Sequence, residues 1–393
     1  MKILIVNTSE RTGGAAIAAN RLMNALRQEG AEVKMQTRQA RWPFYWERMR
    51  IFMANGWSQR GLWQVDFANC GEDITRSQAF REAEVVHLHW VNQGFLSLRS
   101  LDRIFQSGKR IVWTMHDQWP YTGVCHYAED CERFHTHCQH CPQLAHPGAN
   151  DFSYKVFRQK EDIWRRADIT FVGCSQWIAQ EARRSRLTQG HRIVSIPNPI
   201  DHSIFRPIPK DEARAQFGLP QEQKIVLFSC QKVTDERKGM RYLEQAMQQL
   251  PDVRVVSVGR GGDFQLHDEQ SMAAMYAAAD VFVTPSLQDN LPNTIVEAMS
   301  CGTPCVGFRV GGIPEMIHHL EDGYVARYRD ADDLALGIRY ALDHPTLSEA
   351  AIRYARETYN EHRVAQLYLQ EYLRAPKAFK APKAPKAFKP QIP

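Results

Sequence analysis

Asp289 and Glu297 stand eight positions apart in the run Asp289-Asn-Leu-Pro-Asn-Thr-Ile-Val-Glu297. A carboxylate accepts well from two neighbouring hydroxyls, so acids of this kind suit a sugar or a ribose. The first acid precedes a helical stretch and the second lies inside it. Backbone N–H groups at such a helix start, here those of Asn290 and Leu291, favour anionic or oxygen-rich groups. Lys238-Gly239 opens another helical stretch and offers an ammonium to a phosphate; read blandly, it is an exposed lysine at a helix start. His116 follows the apolar run 111–115, at an edge where a side chain faces outward. Gly13-Gly14 opens the first helical stretch and leaves backbone room for a phosphate or an acceptor, while Gly259-Arg260-Gly261 either shapes a pocket or makes a plain turn. Together these residue types suit a ligand rich in hydroxyls and phosphates, as a sugar nucleotide is.

Such residues cooperate only if the chain brings them to one edge. Apolar runs at 3–6, 85–88, 111–114, 169–172 and 193–196 alternate with helical patterns in the first half. The segments Pro197-Asn-Pro-Ile-Asp201 and Phe205-Arg-Pro-Ile-Pro209 cannot be interior helix and read as a connector. The alternation then restarts, with strands at 225–228, 253–258, 281–283 and 305–308 and helices over 241–250, 272–279, 293–300 and 331–342. Strand–helix alternation builds parallel sheets whose carboxyl edges carry binding loops. A chain of 393 residues is comfortable as two domains. The expected organisation is α/β: one Rossmann-like domain over 1–198, a second over 199–373, and a tail over 374–393.

The run from Asp289 to Pro304, with Ala-Met-Ser-Cys-Gly-Thr-Pro after its second acid, resembles the acid-x7-acid motif of family-4 retaining glycosyltransferases. Lys238-Gly239 and His116-Asp117 resemble the same family's Lys-Gly and His-Asp elements, and the likeness extends along most of the chain. The resemblance implies a GT-B fold, two facing Rossmann-like domains with the active site in the cleft. It also implies that the first domain lies on the acceptor side, that the second binds the nucleotide sugar, and that the last helices cross back onto the first. It implies Glu297 on the nucleotide ribose, Asp289 on the donor sugar, Lys238 on the diphosphate and His116 on the sugar or phosphate. Two positions depart from the family pattern. Asp289 stands where Glu is more usual, and the family's Arg a few residues upstream of the Lys is missing, leaving Lys232 or Arg237 to substitute. The implied reaction moves a hexose, with retention, from a UDP- or GDP-linked donor to a polysaccharide or lipid-linked glycan. Its front-face mechanism requires no cofactor. A degenerate GT-B protein that binds glycan or scaffolds a membrane assembly is the alternative, with an epimerase or phosphorylase as the rival among enzymes.

Between 119 and 150 lies a cysteine-rich loop in which Cys125, Cys131, Cys138 and Cys141 carry four thiols, the last two spaced Cys-x2-Cys. Tetrahedral zinc takes four soft ligands, and a metal clip would order a long irregular loop, so structural zinc is expected there. Disulfides and free thiols remain open. Exopolysaccharide glycosyltransferases of the colanic-acid type look similar here, down to the Cys141-Pro142 pair. No basic recognition helix accompanies the loop, so nucleic acid is not an expected partner.

The segment 38–63 interleaves Arg38, Arg41, Arg48, Arg50 and Arg60 with Trp42, Phe44, Tyr45, Trp46, Phe52, Trp57 and Trp63. It reads equally as a membrane-headgroup surface or as an aromatic core with a basic rim. The tail repeats Ala-Pro-Lys and Ala-Phe-Lys; its Lys377, Lys380, Lys383, Lys386 and Lys389 account for the whole formal net charge of +5. Residues 1–374 are therefore formally neutral. The tail is expected to be disordered or weakly membrane-seeking. No apolar run approaches the roughly 20 residues that cross a bilayer, and the run in Met1–Thr8 is too short for a secretory signal and is expected to be a buried first strand. The expected location is the cytoplasm, at the inner face of the membrane.

Overall fold

The computed structural model describes residues 1–375. The Lys-rich repeats of the tail lie outside the described residues. The first half runs β1 (Lys2–Val6), α1 (Gly14–Gln28), β2 (Glu32–Gln36), α2 (Trp42–Ala54), α3 (Gln78–Glu82), β3 (Val85–Leu88), α4 (Leu98–Phe105) and β4 (Arg110–Met115). It continues through α5 (Phe152–Trp164), β5 (Ile169–Gly173), α6 (Gln176–Arg184) and β6 (Arg192–Ser195). The second half runs α7 (Lys210–Gln216), β7 (Lys224–Lys232), α8 (Met240–Met247), β8 (Val253–Arg260), α9 (Glu269–Ala278), β9 (Val281–Thr284) and α10 (Asn293–Ser300). It ends with β10 (Cys305–Phe308), α11 (Ile313–Met316), β11 (Gly323–Ala326), α12 (Ala331–Asp343), α13 (Leu347–Thr358) and α14 (Glu361–Tyr372).

Every strand pairing is parallel. One sheet has the order β2-β1-β3-β4-β5-β6 and the other β11-β10-β9-β7-β8. Parallel strands covered by helices on both faces need apolar side chains on both faces, and β3, β5, β9 and β10 are buried throughout. β2 escapes a reading by apolar runs because its side chains are mostly polar, and β11 because Gly323-Tyr-Val-Ala326 is short and of mixed character. The sequence Glu32-Val-Lys-Met-Gln36 buries only Val33 fully.

α14 leaves the second half and packs on the first. Its Val364, Ala365, Tyr368 and Tyr372 share a core with Ile3, Ile5, Leu22 and Val112. The Tyr368 hydroxyl lies 2.9 Å from Thr114 Oγ1, and Glu371 takes both nitrogens of the Arg192 fork at 2.7 and 2.8 Å. Both sheets turn their carboxyl edges toward each other, which brings β4 and β9 loops from opposite halves into contact.

Candidate active site

The turn before α8 needs Gly239. Its φ is 74°, and an added Cβ would sit 1.9 Å from the Pro285 carbonyl oxygen. This close approach seats Lys238 over the loop after β9. The Lys238 ammonium meets Asp289 Oδ2 at 2.5 Å, and Arg237 Nη1 lies 3.8 Å from the same oxygen while donating to the Gln288 carbonyl at 2.8 Å. Burial disfavours the Asp289 carboxylate, but Lys238 and Arg237 outweigh it and hold its pKa below the usual carboxylate range. Of the two candidate substitutes for the missing Arg, only Arg237 reaches this carboxylate; Lys232 is exposed at the end of β7.

Asn290 takes a different part from the one expected of it. Its N–H donates to Asp289 Oδ1 at 3.1 Å, and its side chain crosses to the first half. There its amide donates to the carbonyls of Met115 at 3.2 Å and His116 at 3.3 Å, and accepts from the Ser175 hydroxyl at 2.6 Å. Leu291 is buried in the core of the second half.

His116 stands at the carboxyl end of β4. Its Nε2 is 2.9 Å from His89 Nδ1, and His87 and His89 continue the ladder with ring centroids 4.3 Å apart. Burial drives the pKa of His116 down to about 4 and that of His87 to about 3, so the ladder is neutral at pH 7. The next residue, Asp117, accepts from Trp90 Nε1 at 2.6 Å and pairs with His126 Nδ1 at 2.7 Å. His126 belongs to the cysteine-rich loop. So does Tyr127, whose ring lies 5.3 Å beneath the Arg237 guanidinium.

Glu297 lies on α10, and both its oxygens are engaged. Arg21 Nη2 donates to Oε1 at 2.8 Å and the Tyr276 hydroxyl to Oε2 at 2.8 Å. Arg21 comes from α1 in the other half and also reaches Glu269 at 2.6 Å. Gly13, with φ 93°, begins α1 and has nothing within 4 Å of an added Cβ; Gly14 accepts from Asn293 Nδ2 at 3.1 Å. The helix start is thus open on one side and tied to the second half on the other. Gly259 is explained by packing, since its Cβ would lie 1.9 Å from the Cys230 carbonyl oxygen.

The cysteine loop departs from expectation. Cys125, Cys131, Cys138 and Cys141 line one cavity of about 10 Å³, at the lower limit for a single water. Among the described residues no three His, Cys, Asp or Glu side chains are placed to hold a metal ion. The residues as placed do not fit a zinc site. Burial pushes Cys141 up to about 11 and Cys138 to about 12, and the neighbouring Cys131 thiol adds to both shifts. Order comes instead from the Asp151 carboxylate, which accepts from the N–H groups of Cys141 at 2.8 Å, Gly148 at 3.2 Å and Tyr154 at 3.1 Å. An acid-x-acid triplet, Asp330-Ala-Asp332, is occupied elsewhere: Asp330 caps α12 through the Asp333 N–H, and Asp332 accepts from Gln249 at 2.7 Å.

Arg21, Tyr276, Tyr127 and the His87–His89 pair were not singled out from the sequence. Arg21 left one trace, a charged residue on the buried stripe of α1 among Ala18, Leu22 and Ala25. Tyr127 and Tyr276 left none, because an aromatic in a loop or in an alanine-rich helix reads as core.

The arrangement places two cations and a carboxylate on one side of a cleft, facing a neutral histidine and an open helix start on the other. Two family models match the chain: Glycosyltransferase Family 4 over residues 12–204 and Glycosyl transferases group 1 over 223–344. The D-inositol 3-phosphate glycosyltransferase of Mycolicibacterium smegmatis is 32% identical over 216 residues, 48% of this chain and 49% of that protein. The chain therefore spans about half the length of that relative. The putative colanic acid biosynthesis glycosyl transferase WcaC of Escherichia coli is 25% identical over 314 residues, 73% of this chain and 76% of that protein. Sucrose-phosphate synthase from Thermosynechococcus elongatus superposes with a TM-score of 0.67 at 19% identity, covering 94% of this chain and 98% of that one. The Anabaena protein HepE, solved in complex with UDP-glucose, superposes with a TM-score of 0.62 at 16% identity, covering 94% and 98%. At such identities the likeness is one of fold, and that fold is GT-B. With one family model on each half and GT-B neighbours over nearly its whole length, the chain belongs to the family-4 glycosyltransferases.

Proposed function

We propose that this glycosyltransferase moves a hexose from a UDP- or GDP-linked donor to a glycan of the exopolysaccharide type, with retention of the anomeric configuration. The observation that carries the reading is the cluster of Lys238, Arg237 and Asp289 across the cleft from His116 and the start of α1. Lys238 and Arg237 take the charge of the leaving diphosphate, aided by the partial positive charge of the α1 N-terminus. Asp289 then exchanges its partnership with Lys238 for sugar hydroxyls, and Glu297 exchanges Arg21 for the ribose. His116, being neutral, exchanges its contact with His89 or Cys174 for a hydrogen bond to the sugar without adding charge.

The bond between the anomeric carbon and the phosphate oxygen breaks as the acceptor oxygen bonds to that carbon on the same face. The acceptor's proton passes to the departing phosphate oxygen, so no side chain serves as nucleophile. Charge on the diphosphate is met by side chains and backbone, and activity is expected to persist with a chelator present. The likeness to WcaC supports a polysaccharide acceptor, and the UDP-glucose complex of HepE supports a uridine donor.

The test is proton NMR of the product formed from an α-linked nucleotide sugar and a glycan acceptor. An α-linked product, with diphosphate released only when acceptor is present, is expected. A β-linked product would overturn retention. Diphosphate-linked sugar altered without any acceptor would point to the epimerase.

A further inference from the structure

α2 is built inside out. Its buried side carries Glu47 and Arg48 beside Pro43 and Ile51. Glu47 accepts from the N–H groups of Phe67 at 2.7 Å and Ala68 at 2.9 Å, and Arg48 pairs with Asp66 at 2.8 Å. These polar contacts tie the helix down, and the side left facing water holds Trp42, Tyr45, Trp46, Met49 and Met53. These follow a helical spacing and are between 41% and 66% exposed. Trp57 and Trp63, in the turn that follows, extend the same surface at 66% and 57% exposure. Twelve large hydrophobic side chains are exposed among the described residues, and seven of them fall in this segment. Leaving single apolar groups in water is ordinary; gathering them on one helix face is not.

The exposed charges of the patch are basic. Arg41, Arg50 and Arg60 are exposed within it, the nearby acids Glu47 and Asp66 are buried, and half-buried Glu72 at its edge accepts from the Gln39 and Ala40 N–H groups. Two copies of the patch face to face would oppose arginine to arginine, which argues against self-association. Tryptophan, tyrosine and arginine together suit the headgroup layer of a bilayer, where ring bodies sink and polar edges stay wet. Among the described residues no helix is long and apolar enough to cross a membrane, so contact here would be peripheral. The patch also sits at a telling edge. An added Cβ at Gly94, in the loop after β3, would meet the Pro43 and Phe44 backbone at 2.5 Å. That loop and the end of β4 with His116 share the carboxyl edge of the first sheet.

We propose that the outward face of α2, continued by Trp57 and Trp63, docks this protein on an anionic lipid bilayer, bringing the acceptor side of the cleft to a membrane-borne glycan. The docking claim rests on this surface alone and does not depend on the transfer chemistry.

The full chain would be centrifuged with phosphatidylcholine vesicles, with and without phosphatidylglycerol, in the absence of donor. Sedimentation with the anionic vesicles only, with a blue shift of tryptophan emission, is the expected result. Arg41→Glu combined with Arg50→Glu should weaken binding by more than about tenfold, and Trp42→Ser with Trp46→Ser by a comparable amount. Because these side chains are exposed, both variants should melt as the wild type does and keep their nucleotide binding. A third variant, with the five tail lysines from Lys377 to Lys389 changed to serine, separates the tail's attraction from that of α2. Loss of binding in the tail variant alone would overturn the proposal. So would a dimer in solution that the tryptophan variant dissolves, since the face would then belong to a second copy.

Discussion

At Asp289 one carboxylate oxygen is shared by two cations, Lys238 at 2.5 Å and Arg237 at 3.8 Å. In the proposed reaction, removing Lys238 takes away transition-state charge stabilisation while Arg237 still neutralises the acid. Lys238→Ala is therefore expected to fold and to lose about 100-fold or more in kcat, the scale seen when one preorganised donor is deleted. Steady-state kinetics beside a melting curve would check it; an unchanged kcat would remove Lys238 from the chemistry. The histidine ladder makes a separate prediction. An unfolded chain binds protons to histidine from about pH 6.5 downward, whereas His116 and His87 take theirs only near 4 and 3. Below about pH 6.5 protons thus favour the unfolded state, and stability falls as pH drops toward 4. Thermal melts should show this loss, and His87→Asn should flatten it. The motif acids and the Lys-Gly pair were legible as chemistry from residue type and spacing. Their partners were not, because Arg21 and Tyr276 meet Glu297 only through contacts between segments far apart in the chain.

At the scale of elements, α14 is the clearest case of structure serving the site from a distance. Tyr372 OH bonds His87 Nδ1 at 2.7 Å and Tyr368 bonds Thr114, so the helix braces the carboxyl ends of β3 and β4, just before His89 and His116. Tyr372→Phe should leave a buried ring nitrogen without that partner and cost about 1–3 kcal/mol. Denaturant titration would measure it, and a change below a few tenths would mean the bond adds nothing. Most strands could be read from apolar runs because both sheet faces are covered. β2 and β11 could not, since Glu32–Gln36 is half in water and Gly323–Ala326 is short, with Gly and Tyr in place of an aliphatic run. The 38–63 segment was ambiguous in sequence between core and surface. The fold resolves it, since Glu47 and Arg48 take the inner face of α2 and displace the aromatics outward.

At the scale of the molecule the two halves are shut on each other. Arg21 crosses from α1 to Glu297, and Asn290 crosses back to the Met115 and His116 carbonyls. A donor that uses Glu297 must displace Arg21, so binding and opening are coupled. Removing one partner of a buried ion pair strands the other. Arg21→Ala is accordingly expected to loosen closure, and small-angle scattering should report a larger radius of gyration than for the wild type. An identical scattering curve would show that the other cross-cleft bonds suffice.

The central claim is that a nucleotide sugar binds between Lys238, Asp289 and Glu297. Its most direct test is a thermal-shift panel of UDP, GDP, ADP and their common sugars on wild type and Glu297→Ala, since a ligand bound only by the folded state raises the melting point by mass action. A shift with one nucleotide family, lost in Glu297→Ala, is the predicted result. No shift with any of them, or a shift that survives the substitution unchanged, would contradict it.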